Sequence, residues 1–207
     1  MQVDISAEAL VYWYLRLNGF LSIENFIVHP DQGRNQETDA DIIGVRFPYR
    51  AENLRHPMKD HNVIMCEPGK IHMVIGEVKT SMCNLNGPWT NRDKRNMFRI
   101  LKAIGILQNR EAEAAAEIIY DVGYYVNQRC RSSLLCFGRE RNSQIADKYP
   151  AVPQIIWSDI FPFVYERFES YHNEKISHQQ WNADGHKLWK AFNVSQNAAV
   201  FADKFSL

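Results

Sequence analysis

The chain predicts a single α/β domain, a small central mixed sheet with helices on both faces. Three observations predict it. Apolar runs of strand length at Asp41–Phe47, Ile71–Lys79 and Ser133–Phe137 are bounded by turn-forming or polar residues. Segments with apolar residues three and four apart stand before, between and after these runs. The length of 207 residues, 45% apolar and 23% charged, suits one full-sized core spanning residues 1–207.

In order, Ser6 is placed to cap a first helix. Its Leu10, Trp13, Tyr14 and Leu17 share one face, and Asn18-Gly19 stops it. Phe20–Val28 reads as a strand, and Pro30–Thr38 as a polar turn that includes Glu37. Asp41 opens the next strand. Pro48–Lys70 is a long, mildly basic connection interrupted by Val63–Met65. Ile71–Lys79 is apolar on both faces, as a central strand covered by helices would be.

Thr90-x-x-Asp93, following Pro88, has the pattern of a capping box, which predicts a helix over Arg92–Leu107. Met97, Ile100, Leu101, Ile104 and Leu107 would form its apolar face. Arg92, Arg95, Arg99 and Lys102 would form a cationic stripe on another. An alanine-rich helix follows at Glu111–Asp121, then the buried strand Ser133–Phe137 ended by Gly138. Gln154–Trp157 is a candidate edge strand. Ser158 is expected to cap a helix carrying Ile160, Phe163, Val164 and Phe168. The last helix, His178–Phe192, presents Trp181, Leu188 and Phe192 at helical spacing despite Gly185. Residues 150–207 thus read as a helical extension packed on the core.

Composition narrows the function. No apolar run approaches the roughly 20 residues a bilayer span needs, and Met-Gln-Val-Asp-Ile-Ser shows no secretory signal. Cys66, Cys83, Cys130 and Cys136 form no Cys-x-x-Cys pair, as expected of buried reduced thiols in a cytoplasmic protein. The seven histidines lack ligand spacing, and Ser132-Ser133 has no nucleophile partner pattern. His72 falls on the face opposite Glu77 and is expected to be a packed residue. The aromatics Tyr12, Trp13 and Tyr14 are expected to be core. Net charge is zero, but its distribution is uneven: residues 1–45 sum to −5, residues 79–110 to +6 and residues 129–141 to +3. A basic stretch following an acidic one is where a phosphate-binding surface would lie.

The chemistry is carried by Asp41 and Glu77-Val78-Lys79. Side chains alternate along a strand, so Glu77 and Lys79 must share a side. An isolated Glu-x-Lys is expected by chance in a chain of this size, and its ordinary fate is a solvent-facing ion pair. Its place at the end of a buried strand, where unpaired charge is costly, makes it notable.

With Glu8 early in the first helix and Gly19-Phe20 ending it, these residues resemble the PD-(D/E)XK nuclease superfamily, in particular its Holliday-junction-resolvase-like branch. Ala40 stands where the family's proline is usual. The resemblance covers about the first two-thirds of the chain and implies a restriction-endonuclease-like fold. By the same resemblance, Asp41, Glu77, the carbonyl of Val78 and Glu8 would hold Mg²⁺ or Mn²⁺, and Lys79 would stand beside the attacking water. Asp39, two residues before Asp41, is the rival ligand. Thr80, Ser81 and the stripe Arg92, Arg95, Arg99 and Lys102 would contact phosphates. The expected function is therefore hydrolysis of phosphodiester bonds in DNA, with RNA left open and a homodimer allowed. The alternative is a silent nucleic-acid-binding or scaffold subunit of the same fold.

Overall fold

A computed structural model describes residues 2–29, 38–51, 53–64, 67–177 and 182–207. The expected turn at 30–37 with Glu37, Met65 and Cys66 in the long connection, and the start of the last helix with Trp181 lie outside the described residues.

The protein is α/β with a mixed sheet of six strands among the described residues. Helix α1 (Ala7–Leu17) starts at Ser6, whose hydroxyl accepts from the Ala9 amide as expected. Strands β1 (Leu21–Val28), β2 (Thr38–Arg46) and β3 (Ile71–Val78) form an antiparallel meander. The chain then crosses over through α2 (Gly87–Thr90), α3 (Asn96–Ile104) and α4 (Asn109–Val122), and β5 (Cys130–Gly138) lies parallel to β3. Strand β4 (Tyr124–Val126) pairs with the first half of β5 and β6 (Gln154–Ile156) with its end. Helices α5 (Ser143–Lys148), α6 (Trp157–Ser170), α7 (His172–Ile176), α8 (Ala183–Asn193) and α9 (Ala198–Ala202) complete the chain.

The sheet separates two cores. One face of β3 sends Val74 and Val78 into a cluster with α1, α6 and α8; the other sends Met73 and Ile75 into a cluster with α3 and α4. This is the both-faces-apolar strand the sequence predicts. Helix α8 approaches α1 closely because Gly185 lacks a Cβ, which would otherwise stand 2.0 Å from the Trp13 ring. The long connection is held down by polar contacts: Asp60 pairs with Arg46, Arg50 and the fully buried Arg167, and His61 bonds Tyr14.

Several expectations need correction. Asp41 does not open β2; it is the fourth residue of Thr38–Arg46, because β1 supplies ladder partners back to Thr38. The helix expected over Arg92–Leu107 is broken. Arg92–Lys94 is a 3₁₀ turn capped by Asn91 rather than by Thr90, and Arg95 is left-handed with φ 55°. Helix α3 runs only from Asn96 to Ile104, so the four cations do not form one continuous stripe. Ser158 lies inside α6, where the Asp159 carboxylate accepts the Ile156 amide instead. Strand β4 and helix α5 went unrecognised, being three and six residues long.

Candidate metal and phosphate site

The carboxyl end of β3 is where the candidate residues gather. Ile42 pairs with Gly76, the last pair of the β2–β3 ladder, and beyond it the strands part. Asn25, which would face Asp41 across β1–β2, has φ 50°. The usual alternation also slips here: Ile42 enters the α1-side core, whereas Ala40, two residues before it, enters the α3-side core. The Val78 N–H, left without a β2 carbonyl, donates to Asp41 Oδ2 at 2.7 Å. Asp41 thus replaces a ladder partner with its side chain.

Glu77 is 3% exposed. Its Oε1 takes an ion pair from Lys79 Nζ, and its Oε2 accepts a hydrogen bond of 2.5 Å from the Trp89 indole N–H. The same-side placement of Glu77 and Lys79 follows directly from strand alternation. Trp89 sits on α2, fully buried, and is the contact to Glu77 that the sequence reading missed. A signal was available: a buried tryptophan needs an acceptor for its N–H, and Trp89 follows the Glu77 strand by only one short loop.

Both carboxyls have raised pKa values. Burial pushes Glu77 above its ordinary value, opposed by its hydrogen bonds from Lys79 and Trp89. Burial likewise raises Asp41, opposed by the Val78 amide and the Lys79 charge, while the negative charges of Glu8 and Asp39 raise it further. Glu8, in the first turn of α1, is therefore within electrostatic reach of Asp41. It makes no hydrogen bond or ion pair among the described residues. Asp39 is exposed and turned to a neighbouring cleft, so Asp41 is the carboxylate that reaches β3.

The donor set fits a hard divalent cation. Among the described residues no three or more His, Cys, Asp or Glu side chains form a metal-holding group. Mg²⁺, however, uses only one or two carboxylates and fills its remaining positions with water and substrate oxygens. Asp41 Oδ1 accepts no hydrogen bond among the described residues, and each Glu77 oxygen keeps a lone pair.

Thr80 and Ser81 are exposed just past the end of β3, beside the site. The cations beyond are engaged in part by α4: Arg92 pairs with Glu117 and Asp121, and Arg95 with Glu113 at 2.6 Å. Arg99 and Lys102 line a shallow cleft with Phe98, Val28 and His29. His72 is packed as expected, buried against Phe20 with its Nε2 3.2 Å from Ser133 Oγ. Trp13 and Tyr14 are core, and Cys83, Cys130 and Cys136 are buried free thiols. No protein-family model, curated protein or solved structure matches the chain.

Proposed function

We propose that the chain is a metal-dependent nuclease of the PD-(D/E)XK type that hydrolyses phosphodiester bonds in DNA. One observation carries the reading: Asp41, Glu77 and Lys79, far apart or alternating in sequence, converge where β2 parts from β3. The element order, a helix, a three-strand meander, a helical crossover and a parallel strand, also agrees with what the resemblance implies.

In this reading Asp41, Glu77 and the Val78 carbonyl would hold Mg²⁺ or Mn²⁺, with Glu8 on α1 close enough to act on Asp41 electrostatically. The ion supplies charge neutralisation of the phosphate and acidification of water. Lys79 offsets negative charge that grows on the phosphate during attack. Trp89 fixes the Glu77 carboxylate so that it does not swing with Lys79. Thr80 and Ser81 offer hydroxyls and amides to the phosphates alongside.

Glu77→Ala and Lys79→Ala are expected to lower Mg²⁺-dependent cleavage of plasmid or oligonucleotide DNA about a hundredfold or more, with far-ultraviolet circular dichroism unchanged. Asp41→Ala is expected to abolish the rise in melting temperature on adding Mg²⁺ or Mn²⁺. Undiminished cleavage by both Glu77 and Lys79 variants would refute the site. The second reading, a silent scaffold subunit, is favoured by one feature: both Glu77 oxygens are already bonded within the chain. Absence of both cleavage and metal-induced stabilisation in the wild type would select it.

A further inference from the structure

The carboxyl end of β1 and one side of α3 enclose a cleft of about 230 Å³, lined by Val28, His29, Arg95, Phe98, Arg99 and Lys102. Arg95, Arg99 and Lys102 are cationic, and no lining residue is acidic. The acids of this region stand elsewhere: Glu113 and Glu117 line a separate cleft of about 360 Å³ between α3 and α4. Arg95 and Phe98 line both clefts and divide them. The Arg95 guanidinium lies over the Phe98 ring, 4.7 Å from its centroid, and is tied to Glu113 on the α4 side. Arg95 holds this place with a left-handed backbone, φ 55°, a conformation that is costly outside glycine and recurs at ligand clamps. A solvated helix face, the ordinary fate of a cationic run, needs neither a concave wall nor an aromatic ring among its charges.

We propose that this cleft seats a single strand of DNA as it leaves the metal site, with phosphates against Arg99 and Lys102 and an unpaired base on the Arg95–Phe98 stack; the proposal rests on the nuclease reading above and names the form of its substrate. A positively charged groove with an aromatic side chain in it meets the two physical requirements of a single-strand site. The cations neutralise the backbone, and a ring or guanidinium plane takes the face of any base. Lys102 makes no ion pair among the described residues, so its whole charge is offered to a phosphate. Arg95 shares its charge with Glu113, which suits it to stacking rather than to holding the backbone. In a duplex the base faces are already stacked on one another, so only an unpaired base can lie on this surface.

Position ties the cleft to the metal site. Val28 is the ladder partner of Thr38, which precedes Asp41 by three residues, about 10 Å along β2. Arg95 directly follows Lys94, and Lys94 with Thr38 and Asp39 lines the cleft beside the metal site. The two clefts therefore adjoin, and a strand with one phosphate at Asp41 reaches the Arg95–Phe98 stack a few nucleotides further on. In the nearer cleft Asp39 and Lys94 oppose each other in charge, whereas no acid lines the farther one. The grip on the backbone is thus set away from the bond to be cut, where it does not compete with the metal for the scissile phosphate.

The test is run on the full chain in chelator, so that binding is read without cleavage. The probes are a short fluorescein-labelled DNA single strand and a blunt duplex of the same length. Wild type is expected to bind the single strand more tightly than the duplex. Phe98→Leu keeps an apolar side chain against the α3-side core but removes the ring. It should lose single-strand affinity by about fivefold or more, with its salt dependence and its duplex affinity as in wild type. Lys102→Ala should instead flatten the slope of log single-strand affinity against log salt by about 0.7. A wild type that binds the duplex at least as tightly, or that binds neither probe, overturns the single-strand seat. So does undiminished single-strand affinity in Phe98→Leu. Cleavage assays with Mg²⁺ report separately on the metal site: cutting without a Phe98 effect sinks only the seat, and a Phe98 effect without cutting sinks only the catalytic reading.

Discussion

Glu77 shows what a single residue can reveal about a site. A carboxylate 3% exposed is retained in a fold only if its charge is met, and here an ammonium and an indole meet it. His72, on the opposite face of the same strand, is the contrasting case. Burial, reinforced by the Arg131 and Arg46 charges, pulls its pKa down to about 3. Its folded value lies below its unfolded one, so at acid pH the unfolded chain takes up a proton that the folded chain refuses. Stability from this residue is complete above about pH 6.5 and is lost as pH falls from there toward 3, on the order of 1 kcal/mol per unit. His72→Gln is expected to flatten the fall of denaturant-measured stability across that window. An identical pH slope in variant and wild type would mean that His72 is not the group responsible.

Elements explain how the residues come to meet. Gly76 lies immediately before Glu77, where an added Cβ would stand 2.6 Å from Ile42 and 2.9 Å from Phe137. Gly76→Ala is expected to cost about 1–3 kcal/mol by overpacking, and to lower metal-induced stabilisation because β3 must shift under Glu77. Full stability in chemical denaturation would show that the sheet absorbs the methyl group. The sequence made β3 readable because its apolar run and its Glu77–Lys79 alternation are local properties. Asp41 could be identified as a candidate but not placed, since its contact with Val78 joins residues 37 positions apart on different strands. Trp89 was legible only in part: its indole calls for an acceptor, but the partner stands twelve positions away across a loop. The break at Arg95 was hidden because positively charged residues three and four apart look alike whether or not the helix is continuous.

At the scale of the whole molecule, a formal charge of zero hides a basic region next to an acidic one. Part of that basic region is already neutralised by α4. Exposed pairs of this kind contribute little to stability, yet they reduce what Arg92 can offer a phosphate. Lys102→Ala is expected to flatten the dependence of log DNA affinity on log salt by up to about 0.9, and Arg92→Ala by less. Equal slopes for the two variants would indicate that the α4 carboxylates do not compete. The molecule also depends on a modest part of its architecture. Trp89 reaches Glu77 from a helix of only four residues, while the sheet that carries Glu77 is secured by two large cores. Fraying of that small clasp would release the indole from its acceptor and leave the strand standing with its acid unmoored. Competence and foldedness are thus separately perishable in this protein, and the first can vanish while the second persists.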